Sequence, residues 1–235
     1  MRVPDTAMLF AAGRGTRMRH LTADRPKPLI PVAGRPLLDH ALDMLMTGGV
    51  RRVVVNTHYL APMISDHLAD LIRAGTVTLS HEAPDLLETG GGIRNARELL
   101  GVGPIVTANT DAVFETSDPL GHLCADWPQA KVEARLLLVP RDAALGHPAP
   151  GDFFLGADGR LTRRGDAATA PYIYTGVQIL DPGAVYTWPE HVFSLNVIWD
   201  GMIARGTLFG VVCPGRWCDV GQPESLPLAE GLLQA

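Results

Sequence analysis

Short β-branched apolar runs alternate along this chain with longer stretches in which apolar residues recur every three or four positions. "AMLFAA" (7–12) predicts a buried strand, and "PLLDHALDMLMTGGV" (36–50) a helix closed by glycines. "RRVVVNT" (51–57) predicts a second strand, and "APMISDHLADLIRAG" (61–75) a second helix ending at Gly75. "TVTLS" (76–80) follows as a third strand, "GGIRNARELLG" (91–101) as a third helix and "PIVTANTD" (104–111) as a fourth strand. A β-α-β-α-β-α-β rhythm of this kind implies an α/β fold with a parallel sheet and helices on both faces.

The second half is less regular. "KVEARLLLVP" (131–140) and "PYIYTGVQIL" (171–180) predict strands, and "DFFLGADGRLTRR" (152–164) a hairpin turning at Ala157-Asp158-Gly159. "SLNVIWDGMIARG" (194–206) predicts a helix, "LFGVVC" (208–213) and "RWCDVG" (216–221) strands, and the tail from Pro223 a final helix. Without a linker, a repeat or a low-complexity tract, the pattern reads as one domain with an inserted or appended hairpin.

Composition narrows the partners. At 235 residues and 46% apolar content the chain can bury a substantial core. A net charge of −5 argues against general nucleic-acid binding, which needs a basic surface to displace counterions. No run approaches the ~18 apolar residues of a membrane span, and "AMLFAA" is too short for a secretory core, so the expected compartment is the cytoplasm, with no membrane partner. Cys124, Cys213 and Cys218 lack metal-site spacing and read as reduced packing residues.

Against that acidic background, "LFAAGRGTRMRHLTADRPKPLIPVAG" gathers Arg14, Arg17, Arg19, Arg25 and Lys27 around a glycine-rich turn. In open α/β sheets, ligands bind in the loops that follow the carboxyl ends of strands. Gly13 and Gly15 can bring backbone N–H groups close to an oxyanion, and Arg17 can fork two phosphate oxygens. A local cation cluster points to one small anionic ligand; glycine spacing by itself also suits a tight turn with solvated arginines. A P-loop lacks its Gly-Lys-Ser/Thr here, and a dinucleotide fingerprint lacks both its third glycine, where Met18 stands, and a terminal acid, where Asn56 stands. The eight histidines show no HExxH spacing and no GxSxG elbow occurs, which disfavours histidine or serine catalysis.

The segment "LFAAGRGTRM…LT…RPKPLIPVAGRPLL" resembles the signature of the sugar-1-phosphate nucleotidylyltransferases. "GGVRRVVVNTHYL", "LETGGGIRNA", "ANTDAVF", "GDFFL", "YIYTGVQIL" and "WCDVGQPE" agree with it in family order, over almost the whole chain. "LETGGGI" with "GDF" and the short length most resembles the N-acetylmuramate α-1-phosphate uridylyltransferases of bacterial cell-wall recycling. Mannose-1-phosphate guanylyltransferases and glucose-1-phosphate thymidylyltransferases are the alternatives within the class. A non-catalytic nucleotide-sugar sensor and an NAD-linked oxidoreductase are those outside it.

The resemblance implies a doubly wound, mostly parallel, Rossmann-like sheet of the nucleotide-diphospho-sugar transferase type, with a small sugar-side hairpin region. Residues 1–115 would form a nucleotide-binding half and 116–235 a sugar-binding half. The reaction implied is NTP plus sugar 1-phosphate giving NDP-sugar and pyrophosphate with Mg²⁺, in a monomer or small homo-oligomer.

Arg17 and Lys27 are then the expected catalytic cations. Ala12, Gly13, Gly15, Thr16, Arg17, Lys27, Glu88, Gly90 and Asn109 are expected to bind nucleotide. Lys27 is one of two lysines against eighteen arginines, and flanking Pro26 and Pro28 are expected to hold it on extended backbone. Asp111, at a strand end, and Asp219 are the expected metal ligands. Asn109, Asp152, Gly176 and Asn196 are expected on the sugar side. Thr110 stands where the family usually has Gly, and Gln222 where it usually has Thr.

Overall fold

The structure is a computed structural model that describes residues 3–127 and 132–234. Its strands and helices, in chain order, are β1 (Thr6–Phe10), the two-residue ribbon strands β2 (Pro31–Val32) and β3 (Arg35–Pro36), α1 (Leu37–Thr47), β4 (Arg52–Thr57), α2 (Ala61–His67), α3 (Ala69–Arg73) and β5 (Val77–His81). There follow α4 (Glu88–Asn95), α5 (Arg97–Leu100), β6 (Ile105–Asn109), β7 (Ala112–Phe114), α6 (Pro119–Cys124), β8 (Ala134–Pro140) and β9 (Ala144–Leu145). The last third holds β10 (Phe153–Leu155), β11 (Leu161–Arg163), β12 (Tyr172–Leu180), α7 (Gly183–Tyr186), α8 (Leu195–Arg205), β13 (Leu208–Val212), β14 (Trp217–Asp219) and α9 (Leu226–Leu233).

A nine-stranded sheet runs β11-β10-β12-β6-β1-β4-β5, with β8 pairing both β12 and β13. β1, β4, β5 and β6 are parallel, as the alternating first half predicts. The apolar runs of β1, β4 and β6 are continuous because helices cover both faces, whereas the edge strand β5 alternates and leaves Thr78 exposed. In β1, Ala7 and Leu9 join the core cluster that contains Leu38, Leu42 and Val55, whereas Met8 joins Ile93, Leu136 and Trp199 on the other face. A third cluster packs Met18, Ile30, Val113, Cys218, Val220 and Leu232 beneath the loop after β1. It fixes residues 16–36 against β14, so that Arg17 and Asp219, each beside a member of this cluster, are placed by one apolar contact set.

The structure departs from the sequence expectations in five places. The second helix is broken at Leu68 into α2 and α3, and the third starts at Glu88 and is broken at Ala96. The strand expected over 131–140 is observed from Ala134, Lys131 lying outside the described residues. The sheet turns mixed beyond β6, because β12 runs antiparallel to both β6 and β8. Strand β14 does not extend the main sheet; it joins β7 and β9 in a separate three-stranded one. The hairpin turning near Asp158 is present as β10–β11.

Strand β12 carries the geometry that matters most for the site. Its second half pairs with β6 over Val177–Leu180, whereas at its start it meets β10 through the single pair Phe153↔Tyr172. Its register against β8 also slips between Tyr174 and Gln178. The ladder is therefore open between β10 and β6, beside the carboxyl end of β6.

Candidate active site

Parallel β1 and β6 are neighbours and end together, Phe10 opposite Asn109. Two hydrogen bonds lock these ends. Ala11 N–H donates to Asn56 Oδ1 at 2.7 Å, and Thr110 Oγ1 donates to the Phe10 carbonyl at 3.0 Å. The second bond gives the departure at Thr110 a physical role, since glycine could not make it. No contact in the structure accounts for Gln222.

After β1 the chain bends at Gly15, whose φ of 62° is left-handed. A Cβ there would stand 2.7 Å from Lys27 Cβ, so glycine serves both the turn and the approach of the lysine segment. Residues 16–22 continue as a 3₁₀ turn that buries Met18 and leaves Thr16 and Arg17 on the cavity wall. Pro26 is extended as expected, but Lys27–Leu29 forms a 3₁₀ turn with Pro28 inside it, a correction to the wholly extended reading.

Lys27 is buried to 8% exposure, and its Nζ lies 2.6 Å from Asp111 Oδ2. Val220 N–H donates to the Asp111 carbonyl at 2.9 Å, and Asp219 sits opposite Ala112 in the β14–β7 ladder. The two carboxylates thus stand on adjoining strand ends, 108 positions apart in sequence numbering (219 minus 111). Asp219 Oδ2 is bonded at 3.0 Å by His147 Nδ1, a residue that sequence reasoning did not select. That bond raises the His147 pKa above its ordinary value, against the opposing effect of burial. A Cβ on Gly221 would meet Arg17 Nη1 and Asp219 Oδ1, each at 3.1 Å. The absence of a side chain at Gly221 is what lets the guanidinium and carboxylate face one space.

Together Ala12, Gly13, Gly15, Thr16, Arg17, Lys27, Glu88, Asn109 and Asp111 line a cavity of about 330 Å³. Asp219 lies behind Gly221 rather than on the wall itself. Gly90 is not on the wall: the N–H groups of Gly90 and Gly91 both donate to the Phe193 carbonyl, at 2.9 and 3.1 Å. The expectation that Gly90 offers its backbone to a nucleotide is corrected accordingly. The three glycines serve close packing, since Cβ atoms on Gly90, Gly91 and Gly92 would meet the Phe193 ring, the His191 carbonyl and Glu82 Oε1. Glu88, with a left-handed φ of 61°, and Thr89 reach the cavity instead.

Glu82, on the cavity wall beside Asn56, is only 1% exposed, with Asn56 Nδ2 donating to Oε1 at 2.7 Å and Leu87 N–H donating to Oε2 at 2.9 Å. The buried Asn56–Glu82 pair therefore ties the end of β1 to the loop before α4. Sequence reasoning weighed Asn56 as a missing acid; a polar residue closing a buried strand was the available signal for this network.

Phe10, Thr89 and Asn109 are shared with a second cavity of about 410 Å³, which opens where β12 leaves the ladder. Gly176 (φ 87°) lies against Asn109: a Cβ there would stand 2.7 Å from Asn109 Nδ2. It supports Asn109 from behind and is not itself on the wall. Asp152 and Asn196 line this second chamber; Asp152 Oδ2 accepts from Tyr174 N–H at 2.9 Å, and Asn196 Oδ1 accepts from Arg163 Nη1 at 2.9 Å. Tyr174 packs edge-on to Trp199 with centroids 5.1 Å apart, and Trp199 Nε1 donates to Gln178 Oε1 at 3.0 Å. These aromatic residues and Arg163 have no motif-like spacing, and only the fold collects them.

A mostly parallel sheet with a glycine-and-cation loop after its first strand, facing a strand-end carboxylate, is suited to moving a phosphate-linked group between two anions. Residues 6–144 match the family described as nucleotidyl transferase, and the chain belongs to that family. The resemblance carried by the opening motif is thereby borne out. Among named relatives, the N-acetylmuramate alpha-1-phosphate uridylyltransferase of Caulobacter vibrioides is 39% identical, covering 98% of this chain and 97% of its own. The protein of that name from Neisseria meningitidis serogroup B is 33% identical, covering 97% and 98%. The crystal structure of HddC from Yersinia pseudotuberculosis complexed with GMP-PN superposes with a TM-score of 0.77 at 22% identity, over 97% of this chain and 99% of that one, and shares the fold.

Proposed function

We propose that this protein transfers a uridylyl group from UTP to N-acetylmuramic acid α-1-phosphate, releasing pyrophosphate, in the cytoplasmic recycling of bacterial cell-wall sugar. The observation that carries this reading is the continuity of two chambers. Arg17, Lys27 and Asp111 line the first, and the second adjoins it through Phe10, Thr89 and Asn109. The relatives' names supply the choice of base and sugar. The protein acts as a monomer or small homo-oligomer with no nucleic-acid or membrane partner. Among the described residues no helix is long and apolar enough to cross a membrane.

The donor set suits a divalent cation that prefers oxygen. Asp111 and Asp219 each have one oxygen engaged by a base, Lys27 or His147, and the described residues hold no cluster of three or more His, Cys, Asp or Glu. Two carboxylates completed by phosphate oxygens is the usual arrangement for Mg²⁺. When bound there, Mg²⁺ would supply charge compensation between the two phosphates.

The residues themselves account for the rest. A sugar phosphate with a second pKa near ~6 is largely a dianion at neutral pH, so its attacking oxygen needs no general base. That oxygen forms a bond to the α-phosphorus as the bond to the β-phosphate bridging oxygen breaks, and the electron pair leaves with pyrophosphate. Arg17 and the N–H groups of the glycine turn stabilise the leaving charge, and buried Lys27 lowers the repulsion between donor and acceptor. Asn109, held by Gly176 at the junction, orients the acceptor.

The test is a pyrophosphate-release assay crossing four NTPs with sugar 1-phosphates. UTP with N-acetylmuramic acid α-1-phosphate is expected to give the highest kcat/KM. A higher value for GTP with mannose 1-phosphate, or for dTTP with glucose 1-phosphate, would replace the substrate assignment. Absence of turnover with every pair would favour a nucleotide-sugar sensor.

A further inference from the structure

The second chamber carries two consecutive arginines that are chemically unequal. Arg163 is committed to its own protein partners: it pairs with Asp200 at 2.9 Å, donates to Asn196 Oδ1 at 2.9 Å, and stacks over Phe153 and Trp199 at 5.1 and 5.5 Å. Arg164, equally on the wall and half-buried, makes one side-chain hydrogen bond, from Nη1 to the Ala167 carbonyl at 2.6 Å. Among the described residues no carboxylate forms an ion pair with it. Asp152, the one acid on the chamber wall, has its Oδ2 on Tyr174 N–H, while the Arg164 N–H is fixed to the Asp152 carbonyl at 2.9 Å.

A guanidinium on the same wall as Phe153, Tyr174 and Trp199, with no ion-pair partner among the described residues, is matched to an anion that arrives with the ligand. The acceptor's phosphate is needed at Lys27 and Asp111, in the other chamber. The anion at Arg164 must then be a second one, at the far side of the sugar ring. We propose that Arg164 determines acceptor specificity by binding a carboxylate carried on the sugar, remote from its 1-phosphate. This rests on the acceptor reading above, in which the sugar bears an acidic ether.

The experiment compares kcat/KM for N-acetylmuramic acid α-1-phosphate with that for N-acetylglucosamine α-1-phosphate, which lacks the acid, in wild type, Arg164→Gln and Arg164→Lys. UTP binding by calorimetry serves as a check on folding. In Arg164→Gln the acidic-to-neutral ratio is expected to fall roughly 10- to 100-fold, the scale of a lost charge-assisted hydrogen bond, mainly through KM for the acidic sugar. Arg164→Lys is expected to keep part of the ratio. If wild type prefers the acidic sugar and Arg164→Gln keeps that preference within twofold, Arg164 is not the determinant, although the acceptor reading stands. Equal loss on both sugars with normal UTP binding also overturns it. A wild-type enzyme with no preference for the acidic sugar overturns both.

Discussion

Lys27 Nζ and Asp111 Oδ2 lie 2.6 Å apart although 84 residues separate them, and the lysine is the more deeply buried partner. The cation is therefore held on the cavity wall where β1 and β6 end, which on the proposed reading is where the two phosphates approach. Lys27→Ala is expected to lower kcat by about 10²–10³-fold, the cost of one preorganised charge at a developing anion. Circular dichroism should remain native. A rate within threefold of wild type would remove Lys27 from the mechanism.

Asp219 acts from behind Gly221, so its effect should appear in the metal titration before it appears in nucleotide binding. Asp219→Asn and Asp111→Asn are each expected to raise the Mg²⁺ concentration for half-maximal activity by about tenfold or more. Chelation of wild type should abolish turnover, and added Mg²⁺ should restore it. Identical titration curves for all three proteins would be incompatible with a ligand role.

At Gly176 both backbone and space forbid a side chain. Gly176→Ala would have to displace the Asn109 amide and adopt a left-handed φ, and is expected to cost about 2 kcal/mol of stability. The same displacement should raise KM for the sugar phosphate more than KM for UTP. Urea unfolding and separate kinetic titrations of the two substrates would measure these effects.

Glu82 lines the first cavity, yet both of its carboxylate oxygens are held by protein donors, Asn56 Nδ2 and Leu87 N–H. Glu82→Ala leaves Asn56 Nδ2 and Leu87 N–H without their acceptor in the interior, at about 1–3 kcal/mol for each donor. Glu82→Gln, which keeps one acceptor, should cost less. The ordering of the urea midpoints, wild type above Gln above Ala, is the observation to check.

The three thiols give a pH signature. Burial pushes Cys124 and Cys213 up to about 11 and Cys218 to about 12. With the folded values raised above those of the unfolded chain, the native state retains protons that the unfolded state loses. Their contribution to stability is complete below about pH 8.5, the reference thiol value, and diminishes as pH rises toward 11–12. Melting temperature should fall over that interval, less steeply in Cys→Ala variants. At pH 8 a thiol reagent should label the native protein slowly and all three cysteines once it is unfolded.

Much of this arrangement is legible in the chain. The parallel half is readable because β1, β4 and β6 are near-continuous apolar runs and β5 a short alternating one, all separated by helix-period segments. Lys27 is readable because it breaks a strong arginine bias between two prolines. Arg163, Arg164, Tyr174 and Trp199 are not, since the hairpin, β12 and α8 that carry them meet only in the folded sheet. His147 is hidden for the same reason: its partner Asp219 is 72 residues away, on a small sheet that no local period announces. The glycine run is ambiguous in the sequence, because three small residues at a helix start suit a ligand and close packing against a neighbouring segment equally well. Here Phe193 decides it.

The hairpin β10–β11 meets β12 through the pair Phe153↔Tyr172 and β13 through the bridge Arg160↔Phe209, whereas the walls around Lys27 rest on the parallel ladders of β1, β4, β5 and β6. On the proposed reading, choice of acceptor and execution of chemistry are carried by separate strand pairings. Grafting a different hairpin could retune which sugar is used while the machinery that breaks and makes the phosphoanhydride stays as it is.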